Sequence, residues 1–178
     1  MNNQISEIDK NHYEMIRKNV GCFLEKQSND LDNDEIILLD VAPQIHEGAR
    51  AFFRKCRIET LDIDPSSNAS YIADLCRDNT DIIPSCRFDI IVCTEVLEHT
   101  LDPFSAIREM HRILKQNGTL LLSVPFNFRI HGPLPDCWRF TEHGLRQLLK
   151  DFRDVQIYDL PTEDRWLMPI QYTVRAQK

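Results

Sequence analysis

Apolar positions follow two different periods along the chain. From 4 to 26, Ile5, Ile8, Tyr13, Ile16, Val20, Phe23 and Leu24 settle into helical spacing, and the polar run QSNDLDND (27–34) reads as the loop that ends this segment. EIILLDV (35–41) is a short continuous apolar run ending in an acid, the pattern of a strand buried on both faces. RIETLDID (57–64), SYIAD (70–74), FDIIVC (88–93), GTLLLSVP (118–125), VQIYDL (155–160) and QYTVRA (171–176) read as further strands. Helices are predicted over GARAFFRK (48–55), over 103–116 and over TEHGLRQLLK (141–150). In the second, Phe104, Ile107, His111 and Leu114 share a stripe beside Met110, and Asn117-Gly118 supplies a stop. Thr141 is a candidate N-cap for the third. Strands alternating with helices predict an α/β protein with a largely parallel sheet. One interval strains this scheme: too few residues separate the second and third strands for an ordinary crossover helix.

Composition narrows the function classes. The chain has 178 residues, 42% of them apolar, and a formal net charge of −7. That is enough for one domain with its own core, expected over 1–178. The charge disfavours nucleic acid as the main partner. No apolar run approaches the length of a membrane span, and MNNQISEIDK has no apolar leader, so a cytoplasmic location is expected. The six cysteines include no C-x-x-C pair and read as reduced thiols, with Cys93 a packing residue. Ligands of open α/β sheets bind at the carboxyl ends of strands. There the sequence places Asp40, Asp62 with Asp64, Asp74, and Thr94-Glu95.

IILLDVAP (36–43), TLDIDP (60–65), IADL (72–75), FDIIVCTEVLEHTLDP (88–103), REMHRILKQNGTLLLSVP (108–125) and WRFTEHGLRQLL (138–149) together resemble the class I S-adenosylmethionine (SAM)-dependent methyltransferases, in particular the type 11-like branch with a VLEH motif. The resemblance implies a Rossmann-like, seven-stranded, mostly parallel sheet flanked by helices and closed by a C-terminal antiparallel hairpin. It implies an N-terminal helix over 1–30, a cofactor-binding core over 35–150 and terminal strands over 151–178. It also implies SAM as cofactor. Asp40, Ala42, Pro43 and Gln44 would lie at the methionine moiety, Asp62 and Ile63 at the ribose, Asp74 and Leu75 at the adenine, and Cys93, Thr94 and Glu95 beside the cofactor after the fourth strand. A carboxylate can accept from both ribose hydroxyls at once, and no phosphate cradle is required. The chain departs from the family in the first loop. Ala42, Gln44 and His46 stand where glycines alternate, and the first glycine is Gly48. This predicts either an altered loop path or a blocked methionine end.

Two further constellations carry chemistry. If a helix starts near 95, Glu95, Glu98 and His99 share a face, and His131 could join them from across the pocket. Two carboxylates and imidazoles suit Mg²⁺, Mn²⁺ or Zn²⁺. A similar E-x-x-E-H arrangement occurs in metal-dependent ubiquinone-pathway O-methyltransferases and small-RNA 2′-O-methyltransferases, whereas VLEH in many other relatives only hydrogen-bonds within the fold. The segment RIHGPLPDCWRFT (129–141) reads equally as an acceptor loop or as a Pro-stiffened connection. In it, His131 is the candidate general base and Asp136 its orienter or substitute. Trp138 and Phe140 are either core or acceptor wall, and His111 is expected to be packed. The expected function is methyl transfer to a small-molecule or saccharide acceptor, at oxygen. The alternative is a non-catalytic methyltransferase-like module with a degenerate cofactor loop. A nicotinamide oxidoreductase is disfavoured because no G-x-G-x-x-G is present. The small size implies either an open acceptor pocket or one completed by a partner chain, as in a homo-oligomer.

Overall fold

A computed structural model describes residues 5–44 and 47–178. Helix α1 (Glu7–Leu31) leads into β1 (Ile37–Val41), β2 (Arg57–Asp62), β3 (Tyr71–Ile72) and β4 (Phe88–Thr94); then come α2 (Pro103–Ile113), β5 (Leu114–Pro125), α3 (Glu142–Leu148), β6 (Arg153–Leu160) and β7 (Gln171–Gln177). The strands form one seven-stranded sheet in the order β3-β2-β1-β4-β5-β7-β6. The pairs from β3 through β5 are parallel, and β7 runs antiparallel to both β5 and β6. The expected Rossmann-like sheet with its terminal hairpin is present.

Period-two alternation distributes the core over the two faces. Leu38, Ile90, Val92 and Leu121 meet Phe23 and Leu24 of α1. Leu39, Val41, Leu61, Ile91, Cys93 and Leu122 meet Ala106, Ile107 and Met110 of α2 and Leu145 and Leu148 of α3. Cys93 is fully buried, as a packing residue would be. His111 packs edge-on against Phe152 with ring centroids 5.0 Å apart.

Three predicted boundaries need correction, and the short interval between the second and third strands is resolved. Helix α1 runs on through Gln27, because that side chain is buried and its amide oxygen accepts from Arg175 of β7 (3.0 Å). The predicted helix over 48–55 is only a 3₁₀ turn, Gly48–Ala51. The N–H groups of Arg54, Lys55 and Cys56 donate to the Asp32 carboxylate instead of continuing a helix. Helix α2 stops at Ile113 and Leu114 already pairs with Phe88, so the Asn117-Gly118 pair lies inside the strand, not at a helix end. Finally, β2 and β3 are parallel neighbours joined through 63–70 without any helix. Thr60 and Ser70 exchange backbone N–H to hydroxyl bonds (3.1 and 3.0 Å), which extends the ladder through side chains. Among the described residues, no helix is long and apolar enough to cross a membrane.

Candidate functional site

The carboxyl ends of β1, β2, β3 and β4 converge on two cavities. The first, about 410 Å³, is lined by Asp40, Ala42, Pro43, Gly48, Thr94 and Glu95, with Arg17, Val20 and Gly21 of α1 as its outer wall. The second, about 300 Å³, is lined by Asp62, Ile63, Asp74 and Leu75, and closed by His99, Leu101 and Pro133-Leu134-Pro135. Val41 and Ala42 line both, so the cavities lie on either side of the end of β1. Of the cofactor residues expected from sequence, all but Gln44 and Cys93 line one or the other; Cys93 is buried in the core. Gln44 is exposed, and His46 lies outside the described residues.

The glycine-poor loop keeps a glycine-like backbone. Ala42 and Gln44 have φ of 49° and 53°, the left-handed region that side chains disfavour. The Ala42 N–H donates to Leu61 O at 2.7 Å, which holds the turn against β2. At Gly48 a side chain could not fit. Its φ is 57°, and a Cβ there would stand 2.2 Å from Asp40 Oδ2. Asp40 itself is 3% exposed and accepts from the Ala49 N–H at 2.7 Å. Burial pushes its pKa up to about 6, against that N–H and the charge of Arg50. Asp62 accepts from the Asp64 N–H (2.9 Å), and Asp74 accepts from the Cys76 N–H (2.9 Å) and pairs with Arg77 (3.3 Å).

Behind the strand ends lies a buried polar cluster. No helix starts at Glu95. Its φ is 54°, and only a 3₁₀ turn follows, Leu97–His99. Glu95 is thereby turned away from Glu98 and His99. Its Oε1 accepts from Ser123 Oγ (2.8 Å) and Gln171 Nε2 (2.7 Å), and Gln171 is held in turn by Asn19 (2.7 Å). The expected convergence of Glu95 with the other ligand candidates is therefore corrected: Glu98, His99 and His131 form the group, their donor atoms within 4.8 Å of one another. Glu98 is fully buried and neither carboxylate oxygen has a hydrogen-bond partner. His99 Nε2 and His131 Nε2 stand 3.6 and 3.7 Å from its Oε1. The remaining nitrogen of each ring faces an acceptor: His99 Nδ1 is 2.9 Å from Pro135 O, and His131 Nδ1 is 3.0 Å from Asp136 Oδ2, close but poorly aligned.

Electrostatics separate these groups. Burial and then Glu95 raise the Glu98 pKa well above the carboxylate range, and burial raises Glu95 as well. Asp136 is held far below it by its bonds to Arg139 and the His131 N–H. Burial lowers His131, with Asp136 opposing and His99 assisting. Trp138 donates from Nε1 to Thr100 O (2.8 Å) and stacks on Phe140, which belongs to the core. Trp138 therefore fastens the segment after β5 to the turn that carries His99.

A model of the methyltransferase domain matches residues 11–175, nearly the whole chain. The chain belongs to the methyltransferase-domain family. A curated relative, the ubiquinone biosynthesis O-methyltransferase of Alkalilimnicola ehrlichii, is 32% identical over 99 residues, covering 52% of this chain and 37% of the relative. The chain thus spans well under half of the length of that relative. Among solved structures, an N-methyltransferase of Haemonchus contortus, crystallised with phosphomonomethylethanolamine and S-adenosylhomocysteine, superimposes with a TM-score of 0.69 at 13% identity, covering 90% of this chain and 52% of that one. A SAM-dependent methyltransferase from Archaeoglobus fulgidus gives a TM-score of 0.60 at 15% identity, covering 80% and 86%. These likenesses establish a class I SAM-dependent methyltransferase fold. They leave the acceptor atom open, since one relative is named for oxygen and one neighbour for nitrogen.

Sequence reasoning about this methyltransferase-domain chain missed Asn19, Ser123, Gln171 and Arg139. Ser123 of β5 and Gln171 of β7 bond Glu95, Asn19 of α1 holds Gln171, and nothing local marks them. Arg139 had a signal, an acid three residues before it.

Proposed function

We propose that this chain is a SAM-dependent methyltransferase that transfers a methyl group to an oxygen of a small-molecule or saccharide acceptor. The observation that carries the reading is the pair of cavities sharing Val41 and Ala42, one lined by Asp40 and the other by Asp62 and Asp74. They form an elongated site with carboxylates at both ends, suited to a ligand with a cationic amino-acid end and a nucleoside end. The non-catalytic alternative loses its motive, because Ala42 and Gln44 keep the left-handed backbone and the methionine side stays open.

SAM, when bound, supplies a methyl group already activated on a sulfonium. The chain's own task is alignment and, for a hydroxyl acceptor, removal of a proton. His131 is suited to that removal. Burial favours its neutral form, and Asp136 beside Nδ1 leaves Nε2 as the basic nitrogen. Arg139 keeps Asp136 ionised and positioned, with an Nη2–Oδ2 bond of 2.8 Å.

The two orphaned oxygens of Glu98 favour a second component. A wholly buried carboxylate flanked by two imidazoles, whose far nitrogens face Pro135 O and Asp136 Oδ2, fits a divalent cation. Glu98, His99 and His131 would hold that ion, which would lower the pKa of an acceptor hydroxyl; His131 Nε2 would then be a ligand, so this route replaces its service as base and does not accompany it.

Calorimetric titration with SAM and S-adenosylhomocysteine tests the cofactor reading. Asp62→Ala is expected to weaken both by about 10- to 100-fold, the loss of two charge-assisted hydrogen bonds. Absence of binding at millimolar cofactor overturns it.

A further inference from the structure

A third cavity, about 650 Å³, lies outside the two cofactor cavities, between the N-terminal half of α1 and the loop that follows β5. Ile5, Asp9, Lys10, Tyr13 and Glu14 form one wall, and Phe128 through Gly132 with Leu134 form the other. Three properties fix what it can take. First, it adjoins the proposed chemistry: His131 lines it and belongs to the Glu98 group, and Leu134 lines both it and the Asp62 cavity. Second, it gathers apolar side chains that are otherwise left in water. Ile5, Tyr13, Ile130 and Leu134 are 51%, 47%, 70% and 74% exposed. Apolar side chains exposed together in a concave wall are the mark of a ligand site. The aromatic residues are held in place: Arg17 donates to Tyr13 Oη (2.8 Å), and Phe128 packs edge-on against His131 with centroids 5.3 Å apart. Third, its cations are already neutralised. Arg129 lies 3.6 Å from Asp9, and Lys10 lies 2.6 Å from Glu7. A phosphorylated acceptor would have to break an ion pair to be recognised, whereas a neutral one would not.

Building on the reading that a hydroxyl is methylated at the His131 end, we infer that this cleft receives a neutral, hydroxylated six-membered ring. The ring lies between Tyr13 on one wall and Phe128 on the other, and one hydroxyl points inward to His131. Arenes and pyranoses share this chemistry, an apolar face edged with hydroxyls. Aromatic side chains bind both kinds of face, and the charged rim of Asp9, Lys10, Glu14 and Arg129 offers hydrogen bonds to the outer hydroxyls.

Ligand-observed saturation-transfer NMR on the full chain, with and without S-adenosylhomocysteine, tests this. The probes are phenol, methyl β-glucopyranoside and, as anionic counterparts, phenyl phosphate and glucose 6-phosphate. One or both neutral rings are expected to bind, and the preferred one identifies the source. The phosphate esters are expected to bind at least tenfold more weakly. Tyr13→Ala and Phe128→Ala are each expected to weaken ring binding about tenfold while leaving the affinity for S-adenosylhomocysteine unchanged. Tyr13 is half exposed on a helix surface, so its variant keeps the test valid should Phe128→Ala fail to fold. The inference is overturned if neither neutral ring binds, if the phosphate esters bind better, or if Tyr13→Ala has no effect. Failure of S-adenosylhomocysteine itself to bind counts against the proposed function; the titrations without it still decide the cleft.

Discussion

Replacing Ala42 by glycine should stabilise this protein, against the usual effect of that substitution. In a helix or strand, Ala→Gly costs about 0.5–1 kcal/mol through backbone freedom in the unfolded chain. At φ 49°, however, Ala42 already carries the left-handed penalty of about 1–2 kcal/mol, and its N–H is fixed to Leu61 O. The difference is a net gain of about 0.5–1 kcal/mol, and the same arithmetic applies to Gln44 at φ 53°. Gly48→Ala runs the other way. It adds the left-handed penalty and places a Cβ 2.2 Å from Asp40 Oδ2 and 2.8 Å from Pro43 Cβ, inside any tolerable contact. A loss of at least about 3 kcal/mol is expected, since both the backbone and a buried carboxylate must shift. For a chain of this length, 1 kcal/mol moves the Tm by about 2–4 °C. Thermal and urea unfolding should therefore give a rise of a few degrees for Ala42→Gly/Gln44→Gly together and a fall of about 6 °C or more for Gly48→Ala. Ala106→Gly, in α2, should show the ordinary destabilisation as a control. If Ala42→Gly destabilises as much as Ala106→Gly, the left-handed reading of the first loop is wrong.

Three other outcomes follow from the site. Because the folded pKa of Asp40 is raised from 3.8 to about 6, its contribution to stability is full below pH 4 and lost as pH rises through 6, a change of about 3 kcal/mol. Asp40→Asn should flatten that part of the pH–stability profile and raise the Tm of the ligand-free protein at pH 8; an unchanged slope would show that Asp40 is not the group responsible. Saturating Mn²⁺, at about 100 times its dissociation constant, should stabilise the protein by about 2.7 kcal/mol. Glu98→Gln should abolish that gain in differential scanning fluorimetry while changing the metal-free Tm little, since burial already favours the neutral carboxyl; an equal Mn²⁺ shift in the variant places the ion elsewhere. Asp136→Asn should lower turnover by about 100-fold or more with SAM affinity unchanged, and adding His131→Ala should cost little more, because the two act as one unit. Additive losses would separate them.

The legibility of this protein from sequence divides along a physical line. Strand runs such as EIILLDV and FDIIVC were readable because a strand buried on both faces must be continuously apolar, and the acids at their ends because chain order alone places strand termini on one edge of a parallel sheet. Asp40, Asp62 and Asp74 thus came to line the paired cavities from positions visible in the sequence. Helix extents were less readable. That α1 continues past Gln27 to Leu31 goes with Gln27 meeting Arg175, and where the segment after Gly48 stops depends on Asp32 taking three N–H groups across a long interval of chain.

Side-chain direction was not readable at all in the Glu95–His99 stretch. Helical spacing would put Glu95 with Glu98 and His99, but a left-handed Glu95 turns its carboxylate to Ser123 and Gln171, and His131 arrives instead from the loop after β5. Which residues can line a pocket is a local property of strands and their ends, and the sequence carries it. Which of them touch is decided by groups brought together from distant segments to satisfy hydrogen bonds and buried charge, and only the folded chain holds that information.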